Sequence, residues 1–462
     1  MNTAIQDKCG SQLAGDSGPT SYSWRSGRVV RSSESRSELG KRCFHWLGVA
    51  FCSALVAVGS VAFPEMLCAQ ESEDSDFTRS RHEIGELPSW QNQMGAERMP
   101  ESEKLLLGRS IRREGFAPRL TVTEAYTDNV FFTAQNRETD YVTKVGPGMG
   151  YVKTGRHGQL VVDYGVESRL YAKNTSQNTG VSRQNGELLG VLDLTSQTTV
   201  TIFERFEAFQ DPTEQQMPGI LGTFGRSAIN LGMLEVKHRF SPSVDVIASY
   251  GNFYADVNAP GSVKSMTHQG ELGVRLRESE WGRTTAKYRV RMFDFDQGAD
   301  SQSHSALIGH EADLTETLVV SGMIGAARIA PDPSNVFVLA QASIKKSMGD
   351  ALYEISYLRD VFPPSGGLSQ PLLGDFIRGS AKIRIWNGLL FDAGITWVHI
   401  GSVRADTLSA NMVKWNAGIS YSPASWFVAR LGYDMFDQRE DVVLGAQHRL
   451  ANQASLRLTA TF

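Results

Sequence analysis

The sequence predicts an all-β chain, a transmembrane up-and-down antiparallel β-barrel of about 18 strands preceded by a signal peptide and a polar arm. Three observations predict it. Apolar and polar residues alternate with a period of two in short segments over most of the chain. The connections between those segments alternate between tight and long. The last segment keeps the alternation and stops on an aromatic residue, Phe462. A period of two sends successive side chains to opposite faces, so each segment reads as a strand between two media.

Composition sets bounds. A chain of 462 residues is long enough for several domains or for one large barrel. The formal net charge of −4 provides no global field for nucleic acid, and no such partner is expected. The second half has no run of the roughly 18 apolar residues that a membrane helix needs. A slightly negative mean hydropathy suits a soluble protein, and equally a barrel in which every second strand residue faces water. Cys9, Cys43, Cys52 and Cys68 all precede residue 70, which excludes a disulfide framework or a Cys-based zinc site from the body of the chain.

Residues 1–69 read as a long n-region and a secretory signal peptide. The apolar run at 44–63 follows Lys41 and Arg42, and Leu67-Cys68-Ala69 supplies a small-residue exit with cleavage expected after Ala69. An uncleaved anchor helix is the alternative. Glu65-Met66-Leu67 lacks the small residues that precede a lipoprotein cysteine, so Cys68 is not read as one. The first forty residues are either a true extension or lie upstream of the real start. Residues 70–117 are polar, acidic at first and basic later, with a short helix expected over 103–111. They hold too few apolar residues for a core and read as a periplasmic arm or small plug.

The barrel is expected over 118–462. Its first strand is read at about 120–126 and its second at 141–152. In the third, Leu160, Val162, Tyr164, Val166 and Leu170 oppose Asp163, Gly165, Glu167 and Arg169. Later, Ala286, Tyr288, Val290 and Met292 oppose Lys287, Arg289 and Arg291, and Ala429, Leu431 and Tyr433 alternate with Val428, Arg430, Gly432 and Asp434. Gly146-Pro147-Gly148 lies inside a strand and marks a bend or bulge. Tight connections fall at 154–158, 196–197, 241–243, 278–282, 315–317, 348–350, 387–388 and 422–424. Longer ones lie between them at 127–139, 173–185, 210–225, 256–264, 294–302, 362–372, 401–408 and 436–441, with a shorter member at 330–334. Asn387-Gly388 reads as a type I′ hairpin turn. A soluble Greek-key sandwich gives no reason for this alternation. Aromatic residues near strand ends, among them Tyr126, Tyr171, Tyr250, Trp386, Trp397, Trp426 and Tyr433, suit interfacial girdles, although strands are rich in aromatics in any setting.

Chemistry is hard to find. His238, His268, His304, His310, His399 and His448 fall on the apolar phase or near strand ends, without a serine and a carboxylate on the inner face of the same hairpin. No metal-ligand spacing and no phosphate-binding glycine loop occurs, so neither catalysis nor a cofactor is expected. The inner phase leans basic instead. Lys237, Arg239, Arg275, Arg277, Lys287, Arg289 and Arg291 fall on sequential strands, and Arg378, Lys382 and Arg384 repeat the pattern on one. Such a ladder favours anionic solutes in a pore. The alternative is a solvated wall neutralised by Glu235, Glu271, Glu311 and Asp313.

Two resemblances extend this reading. The last strand, with Leu456, Leu458 and Phe462 in one phase, resembles the closing strand of bacterial outer-membrane barrels, which the barrel-assembly machinery reads. This resemblance implies export through the signal peptide to the outer membrane, with outer-membrane lipid as surroundings. The stretch 120–147, LTVTEAYTDNVFFTAQNRETDYVTKVGP, resembles the opening hairpin of the β-barrel porin type 2 families. These include outer-membrane proteins of the PEP-CTERM (exosortase) system and of exopolysaccharide operons. Their aromatic-Thr-Asp-Asn-aliphatic element is matched by Tyr126, Thr127, Asp128, Asn129 and Val130. The Asp-aliphatic strand ending in Pro-Gly that follows is matched at 140–148, with Tyr141 in place of the usual aliphatic and five residues between it and Pro147. The resemblance implies export or surface assembly of an exopolysaccharide with periplasmic export proteins, and it carries over no catalytic residue. Read physically, Asp128 and Asn129 bond nearby backbone and shape the first outer loop. A general diffusion porin for small anionic solutes, or a plugged structural or adhesion barrel, are the competing functions.

Overall fold

In the computed structural model, residues 114–211, 224–257, 264–279, 282–296, 300–330, 336–362, 370–403, 408–442 and 445–462 are described. The signal segment, its cleavage site, the four cysteines, the 103–111 helix and nearly all of the polar arm lie outside the described residues. The first six strands are β1 (Gly115–Thr127), β2 (Asp140–Gly155), β3 (Gly158–Tyr171), β4 (Thr179–Asp193), β5 (Thr198–Phe209) and β6 (Ser227–Ser241). They continue as β7 (Val244–Asp256), β8 (Ser265–Ser279), β9 (Gly282–Phe295), β10 (Ser301–Thr315), β11 (Leu318–Ala330) and β12 (Val336–Met348). The last six are β13 (Ala351–Phe362), β14 (Leu372–Trp386), β15 (Leu389–Ser402), β16 (Leu408–Ala424), β17 (Phe427–Val442) and β18 (Gly445–Thr461). One turn of 3-10 helix, Thr175–Gln177, interrupts the connection between β3 and β4.

Every strand pairs antiparallel with its sequence neighbours, and β18 pairs with β1 from Thr461 opposite Arg119 to Gln453 opposite Thr127. The sheet is therefore a closed 18-stranded antiparallel barrel with no free edge. All eight expected tight connections join strands at one rim, and the longer connections fall at the other. Both ends of the barrel, Gly115 and Thr461, lie at the tight-turn rim.

The alternation places its apolar phase outward. Leu272, Ile355 and Leu431 are 59%, 61% and 61% exposed, as are many other aliphatic residues of that phase. The opposite phase carries the buried charges, including Arg169, Arg289 and Asp360. A face that exposes its aliphatic residues while the interior holds the ions is suited to lipid outside and a polar lumen inside.

Several expectations are corrected. The barrel begins at Gly115 and not at 118. Pro118 is tolerated inside β1 because its carbonyl accepts Phe462 N–H, so its nitrogen, on the same side, faces the chain end, where the ladder runs out. Asn387-Gly388 is not a type I′ turn. Only Gly388 takes a positive φ (+84°), and a register shift between Arg384 and Trp386 inserts the extra residue of a bulged turn. A Cβ on Gly388 would lie 2.7 Å from the carbonyl oxygen of Ser422. At Gly146 and Pro147 the ladder to β3 is skipped and resumes in the same register, so the site is a gap and not a bulge. Proline has no N–H to supply there. β4 starts at Thr179 and β17 runs to Val442, shortening the loops expected at 173–185 and 436–441. Tyr171 faces inward, buried with Val130 and Val142, and does not belong to a girdle.

The inner face is also less polar than the alternation implies. Toward the long-loop rim many of its inward positions are apolar, interspersed with buried polar and charged ones such as Glu207, Arg291 and Asp360. Phe203, Phe209, Ile229, Leu231 and Phe253 form one buried cluster. Phe293, Leu307, Ala327, Ile329 and Leu339 form a second. Phe376, Val398, Ile400, Met412 and Phe436 form a third. Where these clusters lie, apolar residues occur in both phases, which masks the period.

Candidate functional site

The motif at the end of β1 fastens the closing seam. Asp128 accepts Asn452 N–H of β18 at 2.7 Å and the Asn452 side-chain amide at 2.6 Å, and its own N–H donates to the Asn452 carbonyl. Asn129 Nδ2 donates to the carbonyl oxygens of Thr133 (2.8 Å) and of Leu450 on β18 (2.9 Å). Its Oδ1 accepts Thr133 N–H at 2.9 Å, and its own N–H reaches Thr127 Oγ1 at 3.3 Å. Tyr126 faces outward against Tyr141 of β2, ring centroids 5.1 Å apart, and Val130 is buried beside Val142. The expected bonding to nearby backbone is present at Asn129, whereas the Asp128 carboxylate is engaged by Asn452 of β18, a partner no local reading supplies. The loop then turns inward. Phe132, held at φ +50°, packs in the cluster of Phe376, Val398 and Met412, with its ring 5.0 Å from that of Phe436. A bulky residue in the left-handed region is strained and persists only where its surroundings determine it.

The predicted basic residues all occupy the inward phase, in separate groups. Near the tight-turn rim, Lys237, Arg239 and Arg277 converge on Asp245 at 3.8, 3.6 and 3.4 Å, with Arg275 directly opposite Asp245 in the ladder. Nearer the long loops, Lys287 Nζ and Arg289 Nε meet Glu271 at 3.3 and 3.0 Å. Arg289 Nη1 donates to Asp360 Oδ2 at 2.7 Å, and Arg291 grips the same carboxylate with both terminal nitrogens, at 3.0 and 3.1 Å. Asp360 also accepts Val361 N–H at 2.7 Å. On β14, Arg378, Lys382 and Arg384 keep the inward phase. Lys382 stands opposite Asp392, and Arg384 lies 3.8 Å from Asp350 at a tight turn. A carboxylate thus accompanies most of the ladder. Glu271 was identifiable from sequence as a neutralising neighbour, and Glu311 and Asp313 accompany Arg283 at 2.9 and 3.8 Å. Asp245 and Asp360 were missed, because a lone acid in one strand does not reveal which strand it faces.

Two arginines lie along the wall instead of projecting from it. Arg119 of β1 crosses β2 to form a bidentate pair with Asp163 of β3. It passes over Gly148, where a Cβ would sit 2.8 Å from its Nε. Arg430 of β17 likewise crosses β16 at Gly418 to reach Asp392 of β15. On the outer face, His268 and His304 accept or donate to Tyr250 and Tyr288 hydroxyls at 2.7 Å, and His448 meets Asp437 at 3.0 Å. At the long-loop rim Lys264 contacts Asp256 at 3.0 Å, and that hydrogen bond raises its ammonium above the ordinary lysine range. Leu456 and Leu458 face outward, and Phe462, 74% exposed, closes the ladder through its N–H to Pro118.

These features define a class by geometry alone: a closed antiparallel barrel with an aliphatic outer face and ion pairs inside. No family model matches the chain, and no curated protein sequence is similar to it. Among solved structures it is similar to the siderophore receptor PirA from Pseudomonas aeruginosa, at 7% identity over 76% of this chain and 80% of that one, with a TM-score of 0.37. OccAB4 of Acinetobacter baumannii matches at 9% identity over 76% and 100% of the two chains (TM-score 0.39). OccK2 (OpdF) of Pseudomonas aeruginosa matches at 11% over 75% and 97% (TM-score 0.40). All three TM-scores lie below 0.5, and the functional reading rests on the residues of this chain.

Proposed function

We propose that this chain is a bacterial outer-membrane barrel, porin-like, that lets small polar solutes pass with a mild preference for anions. The observation that carries this reading is the inversion of the two faces, with aliphatic residues exposed outside and paired ions lining the inside. In this reading the tight turns face the periplasm, the long loops face outward, and lipid and the barrel-assembly machinery are the barrel's partners. The excess of inward Lys and Arg motivates the anion preference, while their carboxylate partners keep it mild.

A narrower reading is export or surface assembly of an exopolysaccharide together with periplasmic export proteins. The likeness of residues 120–147 to the porin type 2 opening hairpin favours it. Purified barrel in a planar bilayer tests both. Stepwise conductance with a reversal potential on the anion side supports passage. Absence of any conductance sinks it in favour of a plugged structural or adhesion barrel, and cation preference sinks the anion reading. Current block by exopolysaccharide fragments, and not by unrelated sugars, supports the narrower reading, and its absence counts against that reading alone.

A further inference from the structure

We infer that Asp360 is the residue that sets the charge selectivity of the lumen, because it is the carboxylate shared by two guanidiniums reaching it from across the wall. This inference rests on the passage reading above. Asp360 stands on β13, whereas Arg289 and Arg291 stand on β9, with β10, β11 and β12 between them. Four ladder spacings of about 4.8 Å place those strands roughly 19 Å apart along the wall. An arginine and an aspartate side chain together do not cover that distance, so the wall bends and the ion pairs cross its concave side. The inward positions between those strands are mixed in size, with Ser303 and Ser305 on β10, Gly325 and Ala327 on β11 and the buried Leu339 on β12.

Burial makes the assignment specific. Arg289 is 0% exposed and Asp360 1%, so neither charge is screened by bulk water, and each acts on the lumen through its field. Asp360 has its two oxygens engaged by three guanidinium nitrogens, while the remaining Nη2 of Arg289 has no partner among the described residues. Glu271 holds Lys287 and Arg289 on its own side of the bridge, whereas Asp360 takes hydrogen bonds from both Arg289 and Arg291. Neutralising Asp360 therefore removes the carboxylate held by both guanidiniums and uncovers positive charge at one place in the passage. Neutralising Arg291 does the reverse.

The test is the reversal potential of the full-length purified protein in a KCl gradient across a planar bilayer. Asp360→Asn should raise the chloride-to-potassium permeability ratio severalfold over the unaltered protein, Arg291→Gln should lower it, and Asp360→Glu should leave it near the unaltered value. An unchanged ratio in Asp360→Asn, with normal heat-modifiable folding, overturns the assignment. Should Asp360→Asn fail to insert, Arg291→Gln decides alone: a shift toward potassium supports the assignment and no shift overturns it. Absence of conductance in the unaltered protein is a failure of the passage reading, and is distinguishable from unchanged selectivity in a barrel that conducts.

Discussion

Asn129 makes more hydrogen bonds than its size suggests, and each has a different role. Its carbonyl shapes loop 1 through Thr133, and its amide ties that loop to Leu450 on the last strand. Asn129→Ala should leave buried backbone groups unpaired and cost about 1–3 kcal/mol. The expected outcome is a lower temperature for loss of the folded band in heat-modifiability gels, together with faster proteolysis within loop 1. Unchanged behaviour in both would assign the motif a role outside the seam. At this scale the sequence was half legible. An Asp-Asn pair after a strand announces a turn through local side-chain bonding. Its second partner lies more than 300 positions away, and no local pattern encodes that distance. The same holds for Asp360, whose type and phase could be read but whose partners on β9 could not.

Between strands, the two arginines laid flat over glycines give the wall its local tolerance rules. Gly148→Val should push Arg119 away from Asp163, and its Cβ would also lie 3.0 Å from the Tyr164 carbonyl oxygen, costing about 1–3 kcal/mol. At Gly270, on the outward phase of β8, an added Cβ would meet nothing within 4 Å, so Gly270→Val should be neutral or slightly stabilising. Urea midpoints of the two variants in detergent micelles check the contrast. Strand number and turn placement were readable because a period of two and the tight turns are local signals. Strand ends were not, since β17 and β18 continue into polar sequence that pairs as well as the apolar part. The turn at Asn387-Gly388 was placed correctly and typed wrongly, because the bulge at Arg384 and Trp386 depends on pairing and not on the dipeptide.

For the whole molecule, the two faces have opposite tolerance for charge. Leu272→Arg, at a 59% exposed outward position near mid-strand, should destabilise the membrane-inserted barrel by about 2–4 kcal/mol, whereas a basic residue is already native at inward Lys287. Refolding yield into lipid vesicles measures this, and equal yields for Leu272→Arg and the unaltered protein would reverse the assignment of faces. Closure makes a related prediction. β1 finds its second partner only in β18, so deleting Phe462 should lower the amount of inserted, heat-modifiable protein in the outer-membrane fraction without altering conduction by barrels that do assemble. Closure itself was legible from an even strand count and a C-terminal aromatic. The apolar lining near the long loops was not, because residues such as Phe209 and Ile229 look like lipid-facing positions until their phase is tied to neighbouring strands. The bridge from β9 to β13 also bears on how such a barrel is sized. Diameter is ordinarily inferred from strand number. Here side chains that start four strands apart meet at Asp360, so the spacing across that part of the inner face is set by charge pairing as well as by the number of strands.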